Sequence, residues 1–358
     1  MNIYTHDYPF YLESGQTLHT LQIAYHTFGT LSAAKDNVIW VCHALTANSD
    51  VADWWPHTVE AGRFLDPTRY FIVCANILGS CYGTTGPTSI CPETGEPWYG
   101  DFPKVTVRDM VHAHQVLARA LGIEQVQLLI GASIGGFQAL EWAVEAPQFA
   151  KRFAFIATGM TCTPWIAAFN ESQRMAMELD PTLGERNAEA GQDGMAVARS
   201  IALLSYRGGA AYNLSQADTV APIPQGGEGA SFDSERVFKH RVQTYQRYQG
   251  EKLRKRFNAY SYLRMMDAVD SHYIPDGEPI HTPTLVVAIS SDLLFTPEEH
   301  RTILDRFPNH EFHVIDSPFG HDGFLVEADL LDEIIKKFIK DEGRPTPALP
   351  TKGGSRQN

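Results

Sequence analysis

The segment that decides the fold is Gly131-Ala132-Ser133-Ile134-Gly135-Gly136. Residues 126–130 before it, four of which are apolar, predict a strand, and Ile134–Glu145 has the spacing of a helix. A G-x-S-x-G motif between a strand and a helix is the context that a nucleophile elbow requires. Glycines suit this turn because side chains do not fit there, and the helix N-terminus favours developing negative charge. The alternative interpretation is a glycine-rich turn without chemistry.

Strand and helix patterns alternate on both sides of the elbow. This alternation predicts an α/β fold with a mostly parallel, doubly wound sheet. The other predicted strands are Leu21–Phe28, Val38–Cys42, 70–75, 152–157, Thr284–Ile289 and 311–315, and the other predicted helices are 105–121, 297–307 and 330–339.

The alternation is interrupted in the middle of the chain. From residue 161 to 272 the pattern is helical, with a glycine-rich break at 226–229. At about 150 residues per domain, the 358 residues suffice for two domains or for one α/β domain with an insertion. We predict a split core domain (1–160 and 273–342), a helical lid insertion (161–272) and a flexible tail (343–358), which is rich in proline and glycine.

Composition and charge exclude several classes of protein. Lys and Arg number 29 against 42 Asp and Glu, a net charge of −13, so no general attraction to nucleic acid or anionic membranes is expected. The five cysteines (Cys42, Cys74, Cys81, Cys91 and Cys162) include no CxxC pair, which argues against a zinc site or disulfide framework. Neither a signal peptide nor a membrane span is evident. We expect a cytoplasmic protein that needs no metal.

The elbow also predicts where its partners lie, because the chain order in such folds is serine, acid, histidine. Asp292 directly follows the strand Thr284–Ile289, and His321 lies beside glycines after the next predicted strand. Each has a simpler alternative: Asp292 as a helix N-cap and His321 as a solvated loop histidine. We predict Ser133, Asp292 and His321 as a catalytic triad.

An oxyanion hole is expected after an early strand. His43-Ala44-Leu45-Thr46 follows Val38–Cys42, so we predict the backbone N–H groups of Leu45 and Ile134 as donors. His43 is a second candidate for the catalytic base, although a histidine at this position commonly shapes the loop.

Two further motifs are given structural interpretations. Gly79, Gly83 and Gly86 match no phosphate-binding spacing, so we interpret them as a tight active-site loop. The adjacent Trp54 and Trp55 are interpreted as core or interface residues rather than as a substrate-stacking surface.

Several blocks together resemble the homoserine O-acetyltransferase family of the α/β-hydrolase superfamily. The likeness runs from about Leu21 to Lys340 and is specific because the blocks occur together. They are residues 42–46 (Cys-His-Ala-Leu-Thr), 76–87, 100–103, 108–110, the elbow with 138–143 (Gln-Ala-Leu-Glu-Trp-Ala), 291–295 and 320–325 (Gly-His-Asp-Gly-Phe-Leu).

The resemblance implies a ping-pong acyl transfer in methionine biosynthesis. Ser133 would take an acetyl group from acetyl-CoA, a co-substrate rather than a bound cofactor, and pass it to L-homoserine. The resemblance also implies a homodimer with part of the lid in the interface. Arg199 and Tyr206 are similar in context to a lid arginine and tyrosine that grip the amino acid, although Arg199 also suits a solvated helix position.

Two other residues complete the predicted acceptor site. Thr46 lies next to the predicted oxyanion donor, and Asp322 directly follows His321. We predict that both bind substrate, with Asp322 near the ammonium or hydroxyl group of the acceptor. The alternative role for Asp322 is to cap the helix that follows it.

Departures from the family pattern leave the substrates open. Ala132 and Ile134 stand where the family usually has glycine and methionine, and Ala47-Asn48 replaces glycine and an acidic or small residue. These changes remove no catalytic group but would reshape the acyl pocket. A succinyl donor, a serine acceptor, a plain esterase with the same triad and a non-catalytic binding module therefore remain alternatives.

Overall fold

The computed structural model describes residues 1–217 and 240–340, and its centre is an eight-stranded sheet. The strand order is β1-β4-β6-β5-β7-β8-β9-β10, with β2 and β3 forming a separate pair. The strands are β1 Asn2–His6, β2 Phe10–Tyr11, β3 Thr17–Leu18, β4 Leu21–Phe28, β5 Val38–Cys42, β6 Phe71–Ala75, β7 Leu128–Ala132, β8 Phe153–Ile156, β9 Thr284–Ile289 and β10 His310–Ile315.

The sheet is mostly parallel, as predicted. Only the pairings of β4 with β1 and with β6 are antiparallel, and the six strands from β6 to β10 in sheet order run parallel. Parallel strands need crossover connections, and these are supplied by the helices. The helices are α1 Val51–Trp54, α2 Val107–Ala120, α3 Ile134–Glu145, α4 Pro164–Glu178, α5 Gln192–Tyr206, α6 Gly209–Ser215, α7 Arg241–Arg254, α8 Ala259–Asp270, α9 Arg301–Arg306, α10 Gly323–Val326 and α11 Ala328–Lys340.

Helices cover both faces of the sheet, so its central strands are buried on both sides. On one face Trp40 of β5 packs in a core with Trp142 of α3. On the other face its neighbours Ile39 and Val41 pack in a second core with Ile335 of α11. This alternation of side chains explains why β5 is apolar throughout.

The part of the lid segment that the structure describes, between β8 and β9, contains the helices α4 to α8. Four of them, α4, α5, α7 and α8, contribute to a small core that contains Met177, Met195, Leu253 and Tyr262. An antiparallel bridge pairs residues 161 and 273, which join the two ends of this segment. The predicted glycine-rich break at 226–229 and the predicted tail at 343–358 lie outside the described residues.

The structure differs from the sequence prediction at α9. The predicted helix 297–307 is reduced to Arg301–Arg306. Before this helix, the N–H groups of Glu299 and Arg301 bond to the carbonyls three residues earlier, those of Thr296 and Glu298, as in a turn rather than in an α-helix. The ring of His300 packs into this turn, with its Nδ1 2.9 Å from the Thr296 carbonyl. In the described part of the chain, no helix is both long and apolar enough to cross a membrane.

Candidate active site

Ser133 occupies the sharp turn between β7 and α3. Its backbone has φ 57° and ψ −129°, a conformation that costs energy for a residue with a side chain. The glycines at 131 and 135 are required because added Cβ atoms would lie 2.0 Å from the Gly135 carbonyl oxygen and 2.1 Å from the Cys42 carbonyl oxygen. The close packing of strand, turn and helix thus explains the motif.

The three predicted triad side chains are in contact. His321 Nε2 lies 2.8 Å from Ser133 Oγ, and His321 Nδ1 lies 2.7 Å from Asp292 Oδ2. The other oxygen of Asp292 accepts hydrogen bonds from the backbone N–H groups of Leu294 (2.8 Å) and Phe295 (3.1 Å). Asp292 therefore caps a turn and orients His321 at the same time. Asp292 and His321 are both buried, so the solvated-loop alternative for His321 is wrong.

The charge of Asp292 sets the protonation behaviour of His321. Burial alone would lower the histidine pKa, but the charge of Asp292 and its hydrogen bond outweigh burial and raise the pKa above the ordinary value. A smaller contribution in the same direction comes from Asp322. This environment stabilises the imidazolium that forms when the histidine accepts a proton.

His43 holds the loop that was predicted to supply an oxyanion donor. Its Nδ1 lies 2.9 Å from the Ala44 carbonyl, and its Nε2 accepts a 3.2 Å hydrogen bond from the Ile77 N–H. Burial lowers the pKa of His43 to about 4, so the ring is neutral near pH 7. With both nitrogens engaged, His43 shapes the loop. In the described residues, the backbone N–H groups of Leu45 and Ile134 donate no hydrogen bond to the protein.

A cavity of about 550 Å³ opens above Ser133 and His321. Its walls contain all four residues predicted to bind substrate, namely Thr46, Arg199, Tyr206 and Asp322. Of the predicted site residues, only Ile134 and Asp292 do not line this cavity. Both are buried: Ile134 was predicted to act through its backbone, and Asp292 acts through its contact with His321.

Arg199 and Tyr206 stand seven residues apart on α5 and so lie on the same helix face. The guanidinium carbon of Arg199 is 5.5 Å from the centroid of the Tyr206 ring, and that ring is 5.9 Å from the ring of His321. Burial raises the pKa of the Tyr206 hydroxyl, which therefore stays protonated as a hydrogen-bond donor. The lid thus places a cation and a hydroxyl beside the histidine.

Asp322 has a partner that the sequence analysis missed. It precedes α10, but its side chain makes no capping hydrogen bond, so the helix-cap alternative is wrong. Its Oδ2 lies 2.6 Å from Nε of Arg207, as an ion pair rather than a linear hydrogen bond. Burial raises the pKa of Asp322, and the charge of Arg207 opposes this rise.

Other cavity residues were also missed. Lys252, Arg256, Asp53 and Trp54 all line the cavity. The interpretation of the tryptophan pair as core or interface was therefore incomplete: Trp55 is fully buried, whereas Trp54 reaches the cavity wall. Lys252 and Arg256 are four residues apart, a spacing that places them on one side of a helix, but nothing in the sequence predicts that this pair lies near Ser133.

The described residues offer no cluster of three or more His, Cys, Asp or Glu side chains that fits a metal ion. All five cysteines are free thiols in this structure. The groups that face the cavity are the serine, the histidine and the charged side chains around them.

Known proteins share this architecture and much of this sequence. The family model of the alpha/beta hydrolase fold matches residues 37–328. Homoserine O-acetyltransferase from Cyclobacterium marinum is 41% identical over 335 residues, which cover 91% of this chain and 92% of the relative. The enzyme of the same name from Moorella thermoacetica is 42% identical over 356 residues, and the match covers 92% of this chain and 93% of the relative.

Solved structures agree on the fold. That of homoserine O-acetyltransferase from Bacillus anthracis superposes with a TM-score of 0.85 at 22% identity, covering 97% of this chain and 98% of the other. Esterase E22 superposes with a TM-score of 0.83 at 23% identity, covering 95% of this chain and 99% of the esterase. These likenesses show the fold, and the sequence relatives show the family. The chain belongs to the homoserine O-acetyltransferase family of α/β-hydrolase-fold enzymes.

Proposed function

We propose that this enzyme transfers an acetyl group from acetyl-CoA to the hydroxyl of L-homoserine through an acetyl-enzyme at Ser133. The observation that carries the proposal is the hydrogen-bond chain from Ser133 through His321 to Asp292, which opens into a cavity with groups suited to a zwitterion. The names of the relatives support homoserine as the acceptor and acetyl as the transferred group.

In the first half-reaction, Nε2 of His321 accepts the proton of Ser133 Oγ as this oxygen attacks the thioester carbonyl carbon. The N–H groups of Leu45 and Ile134 stabilise the tetrahedral oxyanion. Its collapse breaks the carbon–sulfur bond, and the leaving thiolate takes the proton from His321.

In the second half-reaction, His321 removes the proton from the acceptor hydroxyl, whose oxygen attacks the acetyl ester. Collapse of this second tetrahedral species releases the O-acetyl amino acid and returns the proton to Ser133. Asp292 stabilises the imidazolium in both steps because its carboxylate is fixed by two backbone N–H groups.

The acceptor is a zwitterion, and the cavity offers groups of both signs. Arg199 binds the carboxylate with help from the Tyr206 hydroxyl, and Asp322 receives the ammonium group. Thr46 lines the same cavity, next to Leu45 of the oxyanion loop. The ion pair with Arg207 favours the charged form of Asp322, which is the form that this role needs.

A cytoplasmic homodimer in methionine biosynthesis completes the proposal. Exposed apolar side chains on α4, α5 and α6 support a lid interface, because patches of this kind often mark protein contacts. They include Trp165, Met175, Val197, Leu204 and Leu214. Light scattering of the purified protein tests the dimer by its mass.

The function is tested by following thiol release from acetyl-CoA with and without L-homoserine. We expect release that depends on the acceptor, with O-acetylhomoserine identified by mass spectrometry. Equal release without acceptor would identify a hydrolase. Parallel assays with succinyl-CoA and with L-serine decide the donor and the acceptor by the ratio of kcat/KM values.

A further inference from the structure

Two cations of the lid stand at the mouth of the active-site cavity. Lys252 lies in α7 and Arg256 just beyond the end of this helix, and both line the cavity that contains Ser133. Both side chains are exposed, which places them on the solvent side of the cavity. The chain carries a net charge of −13, so paired cations at this mouth contrast with the charge of the whole molecule.

Arg256 is held in a fixed orientation. Its Nη1 donates hydrogen bonds to the Thr46 carbonyl (2.5 Å) and to the Tyr82 hydroxyl (2.7 Å), and its Nη2 lies 3.4 Å from Thr46 Oγ1. A guanidinium has five N–H donors, and these contacts leave Nε and one N–H of Nη2 for another group. The cation is therefore positioned before any ligand arrives.

Lys252 has no hydrogen bond or ion pair within residues 1–217 and 240–340. The acidic groups of the same cavity have other partners: Asp53 accepts a 3.1 Å hydrogen bond from Asn48, and Asp322 pairs with Arg207. Among the described residues, three cations and two carboxylates line the cavity, and Arg207 pairs with one of these carboxylates from outside the lining. The cavity mouth therefore has surplus positive charge.

We propose that Lys252 and Arg256 bind the phosphate groups of the acyl-CoA donor. The inference rests on the proposed function, which requires an acyl thioester to reach Ser133 with its nucleotide end toward solvent. Arg199 and Asp322 are assigned to the carboxylate and ammonium groups of the acceptor. The positive charge that remains at the cavity mouth is therefore available for the negatively charged phosphates of the donor. A planar guanidinium and a mobile ammonium group are both common phosphate ligands, and phosphates bound at an exposed rim keep part of their hydration.

The test compares two donors in the complete enzyme with L-homoserine as acceptor. Acetyl-CoA carries the phosphates, whereas S-acetylpantetheine has the same thioester arm and none of them. We expect Lys252→Gln to lower the ratio of kcat/KM for acetyl-CoA over S-acetylpantetheine by about fivefold to tenfold, the range of a partly exposed charged contact. Lys255→Gln is the matched control, because Lys255 is exposed nearby but does not line the cavity.

Arg256 requires a separate comparison because it also contacts the oxyanion loop. Arg256→Gln should lower the same donor ratio and also lower kcat with both donors, whereas Lys252→Gln should act on the ratio alone. Raising the salt concentration should lower the donor ratio of wild type more than that of Lys252→Gln. Salt ions screen the contact between Lys252 and phosphate, which wild type has and the variant lacks.

The outcomes separate this inference from the proposed function. A wild type that releases no thiol from acetyl-CoA in the presence of L-homoserine would refute the function itself. An active wild type whose donor ratio is unchanged in Lys252→Gln would overturn the phosphate site, as would an equal fall in Lys255→Gln. A defect seen only with S-succinylpantetheine would show that the cations bind the carboxylate of a succinyl group, and this result would also overturn the phosphate site.

Discussion

Gly208→Ala should disable the enzyme although Gly208 lies outside the triad. This glycine follows α5 and packs against the loop that carries His321. A Cβ built on Gly208 would lie 2.0 Å from the carbonyl oxygen of Pro318 and 3.0 Å from its carbonyl carbon. Because Gly208 has φ −72°, alanine adopts this backbone conformation without strain. The substitution therefore tests the contact between the lid and the histidine loop.

The size of the effect follows from the separation that the methyl group forces. A real Cβ does not approach an oxygen closer than about 3 Å, so the lid and the loop must move apart by about 1 Å. His321 Nε2 is 2.8 Å from Ser133 Oγ, and such a shift would take this pair beyond hydrogen-bond distance. A misplacement of about 1 Å costs about 100-fold in rate, and overpacking costs about 1–3 kcal/mol of stability.

Gly209→Ala is the matched control. No atom lies within 4 Å of a Cβ at Gly209, the first residue of α6, so the added methyl group meets open space. We expect wild-type kcat/KM and an equal or slightly higher Tm for this control, measured by thiol release and circular dichroism. A Gly208→Ala enzyme within threefold of wild type, or one impaired no more than Gly209→Ala, would refute the coupling of lid and loop.

Three further predictions concern the triad and its neighbour. Ser133→Ala should keep the fold and lower kcat by about 10⁴-fold or more, and mass spectrometry of wild type with acetyl-CoA alone should find one acetyl group on the Ser133 peptide. The kcat/KM value should fall in acid with an apparent pKa above the ordinary histidine value, because Asp292 raises the pKa of His321 and only the neutral ring accepts a proton. Asp292→Asn should move this acidic limb to lower pH, and a flat profile from pH 5 to 8 would contradict the assignment. Asp322→Asn should leave acetylation of Ser133 nearly intact and slow transfer to L-homoserine, whereas loss of acetylation alone would indicate a role in donor binding.

The strands next to the elbow show what the sequence predicts well and where it fails. Val38–Cys42 and Thr284–Ile289 were predicted to the residue because buried strands are apolar throughout and end at polar residues. The strand before Ser133 was placed two residues early. Gly131 resembles a turn residue in the sequence, yet it pairs with Cys42 inside the sheet. Glycine stands at this strand position because a side chain would collide with the first turn of the following helix.

The triad could be predicted because its order and its position after strands follow from the fold. The remaining site residues could not, because they depend on how the lid packs. Arg207 meets Asp322 across the lid boundary, and Arg256 meets Thr46, which lies 210 positions earlier in the chain. Helical periodicity predicts which face of a lid helix is apolar, but it does not predict which loop the polar side chains will meet.

Under the proposed function, we expect the choice between transfer and hydrolysis to depend on the lid rather than on the triad. The same fold occurs in an esterase with a TM-score of 0.83, so the fold and a serine nucleophile do not by themselves exclude water. The proposed acetyl-enzyme would react with whichever hydroxyl is held beside His321, and a well-oriented bound acceptor reaches an effective concentration of about 10⁵ M or more. In the proposed function the orienting groups are Arg199, Tyr206 and Asp322, which line this cavity.

Arg199→Ala should therefore shift the enzyme toward hydrolysis. Loss of a charged hydrogen bond to the acceptor carboxylate is worth about 1.5–3 kcal/mol, which predicts a fall of about 10-fold to 100-fold in kcat/KM for L-homoserine. Acetylation of Ser133 and the slow release of acetate without acceptor should change far less, because Arg199 takes no part in the hydrogen-bond chain of the triad. The measurement is the fraction of acetyl groups recovered as O-acetylhomoserine rather than acetate at a fixed acceptor concentration. If transfer and hydrolysis fall in equal proportion, Arg199 acts on the triad or the donor, and acceptor orientation does not explain transfer.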